Sequence, residues 1–231
     1  MTPVILVPVK EHAMAKSRMS PLLTAQERCA VAWAMLEDMI RALLPLSYPV
    51  AIITNSTRAA ARVEKLGWRV LWEEVQTSES ASVDAASKHL AKEGVEAVLR
   101  LPADLPLVRP EDVGEILSLP ITAPGAVLAP SWDRTGTNAL LRTPPDLFPS
   151  RFGPGSFTLH LREAAAAGAH LRIVQNPHLE LDLDDPADIV RFLSRPVPGE
   201  TYHTLVDLNI KERLANHAFQ QDPDPGTAGD S

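Results

Sequence analysis

The sequence predicts an α/β fold with a mostly parallel central sheet, helices on both faces and a small β insertion. Three observations carry this. Short apolar runs alternate with amphipathic segments in a β-α-β-α-β-α-β order from Pro3 to Leu101, the pattern of parallel strands joined by crossover helices. The first run is continuously apolar, as a strand covered on both faces is. The fourth, Val95–Leu101, leads into LPADLPL, where Asp104 stands just past a strand end with prolines on either side. Open α/β sheets bind ligands at that carboxyl edge, and a carboxylate there suits a Mg²⁺–nucleotide site. The plainer alternative is that Asp104 caps the helix after Pro110.

Pro3–Val9 is the first strand. Lys10–Ser20, KEHAMAKSRMS, is too irregular and too cationic for core. Thr24 then opens a helix: Thr24 and Glu27 have capping-box spacing, and Val31, Met35, Met39 and Leu43 form one stripe. Pro45 ends it. Val50–Ile53 is a second strand, followed by a helix over Thr57–Leu66 that Ser56 caps and Gly67 closes. Arg69–Trp72 is a third strand and Ser80–Lys92 a helix closed by Gly94.

Beyond LPADLPL, Glu111–Leu119 is a short helix. Ala126–Ala129 and Asn138–Leu141, joined by SWDRTGT, form a hairpin-like insertion. Phe152–Ser156, FGPGS, is a tight turn before a helix over Phe157–Ala167. Leu171–Val174 is a strand, and Leu179–Asp185 alternates apolar and acidic residues as an edge strand does. Pro186 suits the first turn of a helix reaching Leu193. A proline-rich connector, Ser194–Thr201, precedes a final helix over Leu205–Ala218. The chain thus divides into a domain over 1–195, a C-terminal extension over 196–220 and a tail over 221–231. The tail is acidic, Pro- and Gly-rich, and expected to be disordered.

Composition narrows the classes. The chain has 231 residues, 45% of them hydrophobic, enough for a core without disulfides. Its one cysteine, Cys29, lies in an apolar helical stretch and reads as a core residue. A cytoplasmic protein is the simplest expectation. MTPVILVPVK lacks a basic n-region and reads as a strand, not a signal peptide. No apolar stretch approaches the about 18 residues of a membrane span. A net charge of −7 weighs against general nucleic-acid binding but allows one nucleotide held by local cations and a metal.

Three clusters could do chemistry. Lys10, Lys16 and Arg18 follow the first strand. They read either as a cradle for a nucleoside triphosphate, offsetting charge on a transferring phosphoryl group, or as a solvated basic loop. Neither a Walker A motif nor G-x-G-x-x-G is present. Asp104, Asp182 and Asp184 are acidic, and period-2 geometry puts the last two on one face. They read as a Mg²⁺ site that leaves room for substrate phosphates, or as solvated charges, with Asp185 capping the Pro186 helix. Thr135–Asn138 and FGPGS bring glycines that allow close backbone approach to an anion, and Ser156 sits at a helix start. Ordinary turn and cap roles are the alternative. The seven histidines lack zinc-helix spacing; His160, one turn past Ser156, reads either as facing the same pocket or, the expectation, as a surface or core packing residue.

In order, VPVKEHAMAKSRMSPLLTAQER, LPADLPL, SWDRTGTNALL, FGPGSFTLH and DLDDPADI resemble the pattern of the CofC/FbiD guanylyltransferases over roughly residues 3–193. The resemblance implies a nucleotidyltransferase (GT-A-like) fold and transfer of GMP from GTP to a phosphorylated three-carbon acid in coenzyme F-420 biosynthesis, with release of pyrophosphate. It implies that Lys10, Lys16 and Arg18 face the GTP phosphates and that Asp104, Asp182 and Asp184 hold Mg²⁺. Lys16, Arg18 and Asp104 would form the catalytic set, and Thr137, Gly153 and Ser156 would bind the acid. Asp84 stands where the family usually has asparagine and would touch the nucleotide. The Ala-, Pro- and Arg-rich composition favours phosphoenolpyruvate over 2-phospho-L-lactate or 3-phosphoglycerate as acceptor. The extension is open to packing on a second copy of the chain, and a labile product to hand-over to the next enzyme. Two alternatives stand beside this reading: a related nucleotidyltransferase with another nucleotide or acceptor, and a non-catalytic nucleotide-binding homologue.

Overall fold

The computed structural model describes residues 2–10, 16–75, 77–195 and 197–221. Among them the chain alternates strongly from the start: β1 (Val4–Val9), α1 (Ala25–Leu43), β2 (Val50–Thr54), α2 (Thr57–Glu64), β3 (Arg69–Trp72), α3 (Glu79–Lys92) and β4 (Val98–Arg100). Next come α4 (Pro110–Ser118), β5 (Gly125–Pro130), β6 (Thr137–Thr143), α5 (Ser156–Ala166), β7 (His170–Ile173), α6 (Pro186–Leu193), α7 (Glu200–Asp207) and α8 (Ile210–Gln221). The strands form one sheet in the order β3-β2-β1-β4-β6-β5-β7. β1 pairs in parallel with both β2 and β4, so the strand order reverses between β1 and β4. A crevice opens beside the carboxyl ends of strands at such a reversal.

Sequence period explains how the sheet is buried on both faces. On β1, Ile5, Val7 and Val9 join Leu36, Met39 and Ile40 of α1 in one core. Val4 and Leu6 face the other way, against Val83, Ala86 and Leu90 of α3. α5 lays Phe157 and Ala164 over Ala126, Leu128 and Leu140 of β5 and β6. The expected capping box is formed: Glu27 N–H donates to Thr24 Oγ1 and Thr24 N–H to Glu27 Oε2.

Three expectations need correction. The hairpin of β5 and β6 is built into the central sheet, where β6 pairs antiparallel with β4 and with β5. Residues 179–185 are not a strand. Their alternation is real, since Leu179, Leu181 and Leu183 are buried, but their backbone bonds go one at a time to loops. Leu183 N–H donates to Asp104 O at 3.1 Å and Trp132 N–H to Glu180 O at 2.9 Å. The final helix is two, broken at Leu208–Asn209, where Asn209 takes φ 52°, and α7 starts inside the stretch read as connector. Of the expected disordered tail, residues 222–231 lie outside the described residues.

The C-terminal extension closes the α1 side. Leu205 and Ile210 are buried with Val31, Met35 and Phe192. α7 has no side chain of its own to cap its first turn. Asp38 of α1 supplies one, accepting from Glu200 N–H and Thr201 N–H at 2.8 Å each. Gly199 permits the approach: a Cβ there would lie 2.8 Å from Asp38 Oδ1. Arg213 of α8 then pairs bidentately with Glu27, whose carboxyl is held down at about 2 chiefly by that hydrogen bond. Asp38→Ala is therefore expected to lower stability by about 1–2 kcal/mol, the cost of a lost helix cap. The check is a shifted urea midpoint at unchanged slope.

Candidate active site

The crevice at the strand reversal gathers residues from three loops. After β1 the chain turns at Lys16, in the left-handed region at φ 55°, into a single 3-10 turn over Ser17–Met19. Met19 is fully buried and anchors that turn. Lys16 Nζ lies 2.6 Å from both Asp104 Oδ2 and Asp184 Oδ1, and the Arg18 guanidinium pairs with the other oxygen of Asp184. Asp104 follows β4 and is no helix cap: α4 is closed by Asp112, which accepts from Arg109 N–H at 2.9 Å. Asp182 and Asp184 arrive on the extended segment whose alternate leucines are buried, and Asn138 Nδ2 donates to Asp182 Oδ1 at 3.2 Å.

The charges do not balance evenly within this cluster. Burial works against the Lys16 ammonium, but Asp104 and Asp184 outweigh it and hold the group charged well above its ordinary range. Burial also pushes Asp184 up, and Lys16 and Arg18 more than reverse that. Asp182 has no such partner. Burial, then Asp104 and Asp184, raise its carboxyl to about 7. Asp104 Oδ1 is buried with no hydrogen-bond partner among the described residues. The site thus holds an unfilled demand for positive charge at Asp104 and Asp182, whereas both Asp184 oxygens are occupied. Lys10 stands exposed at the end of β1, on the same edge, without an ion pair among the described residues.

The other expected cluster comes from the start of β6 and the turn before α5. Gly153 and Gly155 take φ 119° and 72°, conformations that suit glycine. Gly155, not Ser156, is the N-cap of α5, so the Ser156 hydroxyl is not spent on capping. Phe157 N–H donates to Thr135 O at 3.1 Å, which fastens the 131–136 loop to the first turn of α5. Thr137, Gly153 and Ser156 are thus drawn together.

Their support comes from His160, for which a place at this pocket was the lesser expectation, and from two arginines that were not anticipated. His160 is fully buried; its Nε2 accepts from Arg151 N–H at 2.8 Å and its Nδ1 lies 2.9 Å from Thr137 Oγ1. Because Nε2 is an acceptor, the neutral ring carries its proton on Nδ1 and donates to the threonine. Burial first, and the Arg100 and Arg142 charges next, push His160 down to about 3. Arg100 donates to Thr137 O and Asn138 O at 3.2 and 3.4 Å, pairs with Glu79 and lies 4.0 Å over the Phe152 ring. Arg142 bonds Asp84, Ser87 and Phe148 O. Asp84 accepts in addition from Ser150 N–H at 3.0 Å. Its carboxylate ties α3 to the 148–152 loop and makes no bond to the Lys16 cluster. A lone arginine inside each apolar run, VLRL and ALLRT, was the visible signal for these buried supports.

Comparison with known proteins finds relatives over nearly the whole chain. The family described as guanylyl transferase CofC-like matches residues 3–216, past the point where the motifs end and into the extension. The phosphoenolpyruvate guanylyltransferase of Rubrobacter xylanophilus is 35% identical over 80% of this chain and 91% of its own. The 2-phospho-L-lactate guanylyltransferase of Methanothermobacter thermautotrophicus is 30% identical over 96% of this chain and 94% of its own. Among solved structures, a Desulfovibrio desulfuricans chain provisionally named a nucleotide-diphospho-sugar transferase superposes with a TM-score of 0.76 at 16% identity, over 94% of this chain and 99% of that one. That likeness fixes the fold as one shared with nucleotidyltransferases. With the family match spanning sheet, crevice and C-terminal helices alike, the chain belongs to the CofC-like guanylyltransferase family.

Proposed function

We infer that the protein transfers GMP from GTP to the phosphate of a small three-carbon acid, phosphoenolpyruvate favoured, releases pyrophosphate, and serves coenzyme F-420 biosynthesis. The observation that carries this reading is the juxtaposition at one sheet edge of the Lys16–Asp104–Asp182–Asp184 cluster with the Thr137–Gly153–Ser156 cradle. The acceptor is already an anion, so no strong base is needed, and positioning with charge neutralisation supplies most of the catalysis. Lys16, Arg18 and Lys10 would offset the triphosphate. Thr137, its oxygen already accepting from His160, has its own proton free to donate to the acid, and Ser156 stands at the head of α5.

The residues also fit Mg²⁺. Among the described residues no three carboxylate, histidine or cysteine side chains close on one point, so a dedicated protein cage is not what is offered. Mg²⁺ needs only one or two carboxylates beside substrate phosphates and water, and the unpartnered Asp104 Oδ1 and the uncompensated Asp182 provide them. When bound, the ion would neutralise charge on the reacting phosphates. No helix among the described residues is long and apolar enough to cross a membrane, and we place the reaction in the cytoplasm.

The decisive assay measures pyrophosphate release with Mg²⁺, using GTP, ATP or CTP against phosphoenolpyruvate, 2-phospho-L-lactate or 3-phosphoglycerate. Release with GTP and one acid is expected. Release only with ATP or CTP would overturn the guanylyl assignment, and silence with every pair would overturn the enzyme reading. Within that assay, Thr137→Val should raise KM for the acid about tenfold, the value of one hydrogen bond to an anion, with little change in KM for GTP. His160→Leu should do the same without altering the pH profile between 5 and 8, because the ring is neutral throughout that range.

A further inference from the structure

Two polar atoms on the far side of the crevice have no role in what has been described. Asn55 Oδ1 and Glu73 Oε2 are both buried and have no hydrogen-bond partner among the described residues. They leave adjacent parallel strands side by side: Thr54 is in register with Trp72, and Glu73 N–H donates to Thr54 O at 3.1 Å. Ile53 and Leu71 face α3, and strand period carried one residue past each strand end would set Asn55 and Glu73 on that same face. For Glu73 this is confirmed by the Ser82 hydroxyl of α3, which donates to Oε1. The usual local use of an asparagine at this position is taken, because Ser56 caps α2.

Two acceptors that leave neighbouring strand ends, each without a donor, are matched by a group that brings donors. β2 and β3 lie two and three strand spacings of about 4.8 Å from β4, which carries Asp104. An extended nucleotide bridges such a span from its α-phosphate to the far edge of its base. Guanine offers adjacent donors there, N1–H and the N2 amino group. Adenine and cytosine each offer a single amino group beside a ring acceptor, and that acceptor would face a carboxylate oxygen.

Resting on the guanylyl-transfer reading above, we propose that Glu73, with Asn55 beside it, reads the Watson–Crick edge of guanine and makes the enzyme selective for GTP. Ser82 holds Glu73 Oε1 and so aims Oε2. Selection is strong at such a site because a wrong base leaves buried acceptors unpaired.

The test is equilibrium binding of GDP, IDP and ADP, with MgCl₂, to the full chain and to Glu73→Gln and Asn55→Ala, each variant first shown to melt cooperatively. IDP lacks the N2 amino group. The unaltered chain should bind GDP about 10–100-fold tighter than ADP, the range for hydrogen bonds to a charged group, with IDP between. Glu73→Gln keeps the bond from Ser82 but puts an N–H₂ where Oε2 was. It should weaken GDP about 10–100-fold and leave ADP unchanged. Asn55→Ala should weaken GDP about tenfold. Unaltered GDP-to-ADP ratios in both variants would overturn the proposal, as would an original chain that does not distinguish the two. Failure here is separable from failure of the reaction. Selective GDP binding lost in Glu73→Gln, with no pyrophosphate release from any acid, would keep the base reader and remove the transferase reading. Release that stays GTP-selective in both variants would do the reverse.

Discussion

Asp104→Asn should reduce pyrophosphate release by about 10³-fold or more while leaving the fold intact. The two halves of that expectation have separate causes. The fold survives because Lys16 keeps Asp184 at 2.6 Å, so no buried ammonium is stranded, and an asparagine oxygen still accepts from it. The ordinarily severe penalty for breaking a buried ion pair is thereby avoided, and a thermal melt within a few degrees of the unaltered protein is expected. Catalysis does not survive, because the buried, unpartnered Asp104 Oδ1 is the atom best placed to hold a cation against the reacting phosphates. The amide carries no charge, and loss of about 4 kcal/mol of electrostatic stabilisation corresponds to about 10³-fold in rate. The measurement is pyrophosphate release over a Mg²⁺ titration. A variant that regains full turnover at high Mg²⁺ would place the ion elsewhere. A variant that fails to melt cooperatively would make Asp104 a structural residue.

How much of this was legible in the sequence depends on which forces set each feature. The strands and helices from Pro3 to Lys92 were legible because each carries its own signals, such as the Thr24–Glu27 capping box and the continuously apolar run of β1. The proline-flanked Asp104 was legible for the same reason. Residues 179–185 were misread because alternation reports which side chains are buried and not where the backbone bonds go. The segment buries its leucines as a strand would, yet donates singly to Asp104 O and receives from Trp132. The break at Asn209 and the early start of α7 escaped because the cap of α7 comes from Asp38, some 160 residues away in sequence. The site divides in the same way. The charged residues could be named from their motifs, but that Asp184 is occupied by Lys16 and Arg18 while Asp182 is left open is a matter of tertiary distance. Asp84 and His160 turn on partners 66 and 23 residues away, Ser150 and Thr137, and Arg100 and Arg142 announced themselves only as charges inside apolar runs.

Asp182→Asn should make the metal-free protein more stable and the enzyme inactive. Asp182 titrates at about 7 in the folded chain against an ordinary value of 3.8, because burial and the neighbouring Asp104 and Asp184 disfavour its charge. A group with a raised folded pKa contributes stability that is fully present below its unfolded value and is lost as pH rises through the folded one. In chelator, the contribution of Asp182 should therefore be lost progressively from about pH 4 to above pH 7, and it is read as the difference between the unaltered protein and the variant. The asparagine variant has no such group to ionise and keeps an oxygen for Asn138, so the gap between the two proteins should widen over that range. At pH 8 the variant should be ahead by about 2 kcal/mol, the order expected of a shift this size after allowance for partial solvation; at pH 4 the two should coincide. Mg²⁺ should reverse the ranking at pH 8, because a ligand stabilises only the chain that binds it, and pyrophosphate release should be lost in the variant at every pH. Denaturant midpoints at pH 4 and pH 8, with and without Mg²⁺, check all four corners. A variant weaker than the original chain at pH 8 in chelator would mean that Lys16 already satisfies Asp182. The charge left over at the strand reversal would then vanish, and with it the reason for a cation to bind there. The expected outcome instead places the cost of an unmatched carboxylate at the point where the triphosphate and its metal would enter, a local instability kept because the reaction needs the charge.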